Sequence, residues 1–379
     1  MAQANESGCR NNPAAGCRCA PGGRAPVRAR GVRLLGSDRL SGRLIGRLLI
    51  DLSVACLQHY KWPCHRVKFP RFFRPLIFLL ALPASWVHAW NGTGHQEVVA
   101  VAWSALDKPT RARVDRLLQS QQLIPGTRNQ TGEAAWMDAA LWPDQLRDRN
   151  DTSTSDTPPP SFKEWLRRAR TGESTRRWHF ADRNVAHSFQ QRPHGLLEPA
   201  LNAQIRLLSD PTLSPHDRAV ALAWVSHLVA DAHQPLHCAS RAVPSQPSEQ
   251  DAGGNLVTVI DAGRKPPDPI ALHRWWDELP GQARPGSARF NKTLIRLLQH
   301  SLLLTESDLI QPPILWIEES FNLARTQVYP GLLPDPGLED TYLIRQDYWL
   351  NGRDIMHARL ALAGRRLAYV VSQALKDLP

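Results

Sequence analysis

The stretch "HLVADAHQPLH", His227 to His237, holds three histidines and an aspartate directly behind the apolar run "AVALAWVS". Charged groups belong in such a helix only if something pairs them, because an isolated buried charge carries a large desolvation penalty. His227 and Asp231 are four residues apart, so they share one helical face a turn apart and can grip one ion. His237 lies beyond Pro235 and points elsewhere, which suits a second ion nearby, whereas His233 reads as an orienting or packing residue. The same chemistry recurs along the chain. "LHRWWD" places His273 and Asp277 at i, i+4; "WHFAD" contains His179, "LWPDQLR" Asp144, and "WNGTGHQEVV" His95. One buried histidine is ordinarily a hydrogen-bonded core residue. Five segments with imidazole or carboxylate beside apolar side chains instead predict a metal cluster. Imidazole and carboxylate without thiolate suit zinc in a hydrolytic site better than a structural, cysteine-rich one.

These groups need rigid elements to hold them, and the periodicity from Trp90 onward is helical almost throughout. "GHQEVVAVAWSAL", "EPALNAQIRLLS", "ILWIEESFNLARTQVY" and "HARLALAGRRLAYVVSQAL" repeat apolar residues at three- and four-residue spacing. The central helix is expected to start at Ser214 as N-cap, with Pro215 first and Asp217 in the first turn, and to run to about Gln234 before Pro235. Loops rich in Pro, Ser, Thr and Asp, such as "NDTSTSDTPPPS" and "VPSQPSEQDAGGN", separate the helices. Strand-like alternation is confined to "GNLVTVIDAG", enough for one short β-hairpin. The expected fold class is all-α: a single mainly helical domain over residues 90–379.

The formal charge of +11 suggests a polyanion partner until it is located. Residues 1–89 hold 14 Lys and Arg against 3 Asp and Glu, and the rest of the chain holds 32 of each. The basicity therefore belongs to the leader. "KFPRFFRPLIFLLALPASWVHA" has a basic head, a short apolar run and a small-x-small end at Val87-His88-Ala89, the pattern of a secretory signal peptide over residues 67–89. Its apolar run is too short to span a bilayer, which takes about 20 residues, and no longer one follows, so the mature chain is expected to lack a membrane anchor. Residues 1–66 read as a low-order basic extension, either upstream of a true start near Val67 or a tail that binds nucleic acid or targets an organelle. Five of the six cysteines lie in the leader and only Cys238 follows it, which excludes an internal disulfide after cleavage. A core or bound metal must supply the stability.

In their order, the N-terminal Trp90 with His95 five residues on, "WPD", "WHFAD", "HLVADAHQPLH", "DAGGN" and "LHRWWD" resemble the zinc-dependent, single-strand-specific nucleases and three-prime nucleotidases of the nuclease P-one type. The resemblance covers residues 90 to about 374 and extends to "AGRRLA" in the last helix. It implies three zinc ions: one on Asp144, His179, His227 and Asp231; one on His237, His273 and Asp277; one on His95, a bridging Asp231, and the free amine and carbonyl of Trp90. Cleavage before Trp90 would itself create that amine ligand. The family's chemistry is attack by a zinc-activated hydroxide, the pKa of bound water falling from about 15.7 to near 7, and Asp231 is the central catalytic carboxylate. The resemblance assigns phosphate contacts to Arg147 and Asn255, and base recognition to Phe180, as a stacking face, and Asp182. Asp251 is expected to brace the "DAGGN" loop. The implied product is a secreted or periplasmic monomer that cuts single-stranded DNA and RNA to five-prime mononucleotides and dephosphorylates three-prime nucleotides. Zinc phospholipase C shares the fold and is the alternative. It resembles this chain less, having a longer gap before the first histidine and Glu where Asp277 stands. A non-catalytic metal-binding protein would not need Arg147 or Asn255.

Overall fold

The computed structural model describes residues 90–119, 130–150, 157–265 and 267–377. The expected extension at 1–66 and signal segment at 67–89 lie outside the described residues. Eleven α-helices carry the described part: α1 (Gly92–Ala105), α2 (Lys108–Gln119), α3 (Gly132–Asn150), α4 (Phe162–Thr171), α5 (Leu197–Ser209), α6 (Pro215–Ala232), α7 (Leu272–Asp277), α8 (Ala288–Ser301), α9 (Glu306–Leu309), α10 (Pro313–Leu323) and α11 (Gln346–Leu375).

At the centre is α6, buried on every side from Asp217 to Ala232. A helix apolar all round can be stable only when surrounded, and α1, α2, α3, α4, α5, α10 and α11 pack on it. Its start follows the sequence: Ser214 Oγ accepts from Asp217 N at 3.2 Å and donates to the Asp217 carboxylate at 2.9 Å. It ends at Ala232, two residues short of the expected Gln234. Tryptophans set its neighbours. Trp136 donates to Ser226 Oγ at 2.7 Å and Trp224 to Ala169 O at 2.8 Å, fixing α3 and α4. Trp165, Trp178 and Trp224 stack in series, with ring centroids 4.9 and 4.8 Å apart. The longest helix, α11, lies against α1, α5, α6 and α8. Gly364 allows that approach, since a Cβ there would come within 2.5 Å of Val101 Cβ.

The mainly helical expectation holds, but the single hairpin does not. One hairpin pairs β1 (Ala242–Val243) with β2 (Gln246–Gln250). A four-stranded sheet has the order β4 (Ile270–Ala271), β3 (Thr258–Asp261), β6 (Thr341–Ile344), β5 (Leu333–Pro334), with β3 and β6 parallel. Only β3 comes from "GNLVTVIDAG". Strand β2 is exposed along its whole length and so carries no apolar alternation, and two-residue strands are too short to show any.

Candidate metal centre

The centre is built from α6 outward. His227 Nδ1 donates to Ala140 O on α3 at 2.9 Å, which turns its Nε2 toward Asp144, His179 and Asp231. His227 Nε2 stands 2.9 Å from His179 Nδ1, 3.3 Å from Asp231 Oδ2 and 3.5 Å from Asp144 Oδ1. His179 ends a single 3-10 turn, Arg176–His179, pressed on α6 by Trp178. On the other side His95, in the first turns of α1, stacks on His227 with centroids 4.1 Å apart, and its Nε2 is 3.7 Å from Asp231 Oδ1. The two oxygens of Asp231 thus face different partners, Oδ2 toward His179 and His227 and Oδ1 toward His95.

A second group lies alongside. His237 Nδ1 donates to His179 O at 2.7 Å, and His273 Nδ1 to Gly253 O at 2.8 Å. Both Nε2 atoms therefore carry lone pairs, and they face each other at 3.1 Å. Asp277 joins them, Oδ2 lying 3.4 Å from His273 Nε2 and Oδ1 accepting from Gln234 Nε2 at 2.7 Å. Opposed lone pairs beside a carboxylate call for a cation or a shared proton. Among the described residues three groups have ligand atoms close enough to hold an ion: His95, His227 and Asp231; Asp144, His179 and His227; His237, His273 and Asp277. Both nitrogens of His95 and Oδ1 of Asp231 are buried without a hydrogen-bond partner, so the donor set fits zinc. Each His and Asp expected as a ligand falls in one of these groups. Trp90 is fully buried at the mouth of α1, and Asn91 N donates to Asp277 O at 3.0 Å, which ties the chain beside Trp90 to the second group.

Burial dominates the electrostatics of these groups. It lowers His95 to about 3 and His179 to about 4, with the neighbouring His227 adding to the fall at His95. His227 moves the other way: burial pulls it down, but the Asp231 and Asp144 carboxylates override that and raise it to about 9. Asp231 and Asp144 stay well below the usual carboxylate range, because His227 beside Asp231 and Arg147 beside Asp144 overcome the burial that opposes ionisation. Asp277 is raised well above that range by burial, with the charges of Asp231 and Asp144 adding to the rise.

The profile described as S1/P1 Nuclease matches residues 90–376. The chain belongs to the S1/P1 nuclease family. It is 26% identical to Endonuclease 4 of Arabidopsis thaliana over 308 residues, covering 76% of this chain and 90% of that relative. It is 23% identical to Endonuclease 2 of the same plant over 304 residues, 76% and 91%. As a family member it is a hydrolytic nuclease.

Around the nuclease's metal groups the other expected residues take separate places. Arg147 is buried with Nη1 3.0 Å from Asp144 Oδ1. Asn255 is partly buried, and its Nδ2 donates to Ala252 O at 2.6 Å, closing the "DAGGN" turn. Asp251 braces that turn, accepting from Arg241 N and Tyr329 Oη, each at 3.1 Å. Gly253, at φ +66, is required there, since a Cβ would lie 2.5 Å from Leu236 O. Phe180 follows His179 and is partly exposed beside the His194 ring, centroids 5.5 Å apart. Buried Asp182 exchanges backbone hydrogen bonds with His194, both 2.8 Å.

Sequence reasoning missed Gln234, which orients Asp277; a glutamine in a wholly buried stretch between two ligands was the available signal. It also missed the support for His233, whose Nδ1 donates to Val229 O at 2.7 Å while Nε2 accepts from Arg366 at 3.0 Å. His233 is thus a fully satisfied core histidine. Cys238 is buried, and burial pushes its thiol up to about 12. On α4, Arg167, Arg168 and Arg170 are engaged by Glu164, Glu173 and Asp217.

Proposed function

We propose that the mature chain begins at Trp90 and is a secreted, zinc-dependent nuclease that hydrolyses single-stranded DNA and RNA to five-prime mononucleotides and dephosphorylates three-prime nucleotides. The observation that carries this reading is the Asp231 carboxylate aimed at two imidazole groups at once, with the opposed lone pairs of His237 and His273 alongside. The residues that would hold three zinc ions are Asp144, His179, His227 and Asp231; His237, His273 and Asp277; and His95 with Asp231 and the amine and carbonyl of Trp90. Zinc held there supplies Lewis acidity and makes water nucleophilic at neutral pH.

The chain's own groups set the geometry. Ala140, His179 and Gly253 carbonyls take the Nδ1 protons of His227, His237 and His273, so each ring presents a lone pair inward. Gln234 holds Asp277 by its Oδ1. Arg147 steadies Asp144 and is the guanidinium that would meet a phosphate oxygen beside it. Asn255 would turn its amide to the same phosphate from the loop it closes. Phe180 offers a stacking face and Asp182 a carboxylate to a base edge, a pairing that needs an unpaired base. No described helix is long and apolar enough to cross a membrane. The family match opens at Trp90, which supports cleavage before it.

The test is purified protein beginning at Trp90, assayed on single-stranded DNA, the same sequence as duplex, RNA, three-prime AMP and phosphatidylcholine. Cleavage of the single strand with five-prime phosphate ends, abolished by chelator, is expected. Faster release of head groups from phosphatidylcholine than of nucleotides would overturn the substrate assignment. A version with residues fused ahead of Trp90 should lose one zinc and most activity, since an amide replaces the amine; equal zinc and activity would remove Trp90 from the ligand set.

A further inference from the structure

Between α8 and α11, sharing no residue with the metal centre, lies an open pocket of about 340 Å³ whose lining includes Arg296, Gln299, His300, Arg353, Asp354 and His357. Arg296 and His300 are four apart on α8, and Arg353 and His357 four apart on α11, so each helix turns a guanidinium and an imidazole to the same space. The two imidazoles stack loosely, centroids 6.1 Å apart and planes 26° from parallel. The one carboxylate in the lining is Asp354, 3.6 Å from Arg353 and largely in solvent. Arg296 has no hydrogen bond or ion pair among the described residues, and Nε of Arg353 is buried without a partner while its guanidinium lies 4.9 Å over the Trp349 ring. His357 is 6% exposed, and neither of its ring nitrogens has a hydrogen-bond partner among the described residues. Two guanidinium groups repel a metal ion, while guanidinium, amide and imidazole donors converging on one cavity, among them the buried and unpartnered Nε of Arg353, suit an anion with several oxygens.

We propose that this pocket is a phosphate-binding site, in which Arg296 and Arg353 clamp the phosphate oxygens and Gln299, His300 and His357 complete the donor ring. Burial, with Arg296, His300 and Arg353 nearby, lowers His357 to about 4 against the opposing pull of Asp354. An anion in the pocket would counter those cations and raise it. The phosphate could be the terminal group of a nucleotide or a diester in a nucleic-acid backbone, and the two are separable by charge and substitution.

The experiment follows the His357 ring resonances of the zinc-loaded protein during titration with inorganic phosphate, five-prime AMP and dimethyl phosphate at constant ionic strength. A saturable shift is expected, with the His357 pKa rising by about one unit. Arg296→Ala and Arg353→Ala should each weaken binding about tenfold, while activity on three-prime AMP stays at the parent level. A response to dimethyl phosphate assigns the site to a strand backbone, and one confined to inorganic phosphate and AMP assigns it to a terminal phosphate. An equal shift with chloride, no shift at all, or a shift that survives both substitutions would overturn the proposal.

Discussion

Stripping the metal and raising the pH should destabilise this nuclease far more than raising the pH of the zinc-loaded form. Without a cation, His227 takes a proton between Asp231 and Asp144, and its folded pKa of about 9 stands above the 6.5 of an ordinary histidine. A folded pKa above the unfolded one gives stability that is fully present below pH 6.5 and is lost as the pH rises through 9. That separation corresponds to about 3 kcal/mol, at roughly 1.4 kcal/mol per unit, or on the order of 10 °C in Tm for a domain of this size. With zinc held as proposed, His227 would be a neutral ligand and the loss should not occur. Asp277, raised by burial in the stripped chain, acts in the same direction. Glu97, raised to about 8 by burial against the opposing charge of Arg289, also loses stability with rising pH but does so in both forms and cancels. His95 and His179, lowered to about 3 and 4, act only below pH 6.5. Urea unfolding of chelator-treated and zinc-loaded protein at pH 6.5 and 9 measures the difference, and His227→Gln should abolish it. A stripped protein equally stable at both pH values, or a slope that survives His227→Gln, would refute the reasoning.

Asp231→Asn keeps shape but removes the charge between two imidazole groups, so elemental analysis should find two zinc ions lost with nearly all activity; full zinc content would make Asp231 a structural carboxylate only. Arg366→Ala removes the buried guanidinium that donates to both Glu319 oxygens and to His233, and should cost about 3–5 kcal/mol in denaturant unfolding; a loss below about 1 kcal/mol would show the network to be dispensable. Gly195→Ala introduces a Cβ 2.1 Å from Phe180 O at φ +110. Strain of about 1–3 kcal/mol should displace Phe180, raising KM for three-prime AMP about tenfold while bis(p-nitrophenyl) phosphate, which has no base, is cleaved nearly as before. Equal effects on both substrates would count against a base contact at Phe180.

Much of the metal centre was legible because its pairings are local. His227 with Asp231, and His273 with Asp277, are set by the rise of a single helix, and the start of α6 by Ser214, Pro215 and Asp217 in sequence. The buried run around them announced that the charges needed partners. Tertiary structure alone decided which groups meet. His95 reaches His227 because α1 packs on α6, and His179 reaches both because the Trp178 stack presses a short turn against the same helix. Ring orientation depends on the carbonyls of Ala140, His179 and Gly253, which no side-chain pattern encodes. The small sheet was hidden for the same reason. Thr258 pairs with Thr341 across most of the C-terminal half, and β2, exposed throughout, leaves no hydrophobic trace. Local spacing is written in the chain by helix geometry, whereas contacts between distant segments arise only when burial of their apolar faces brings them together.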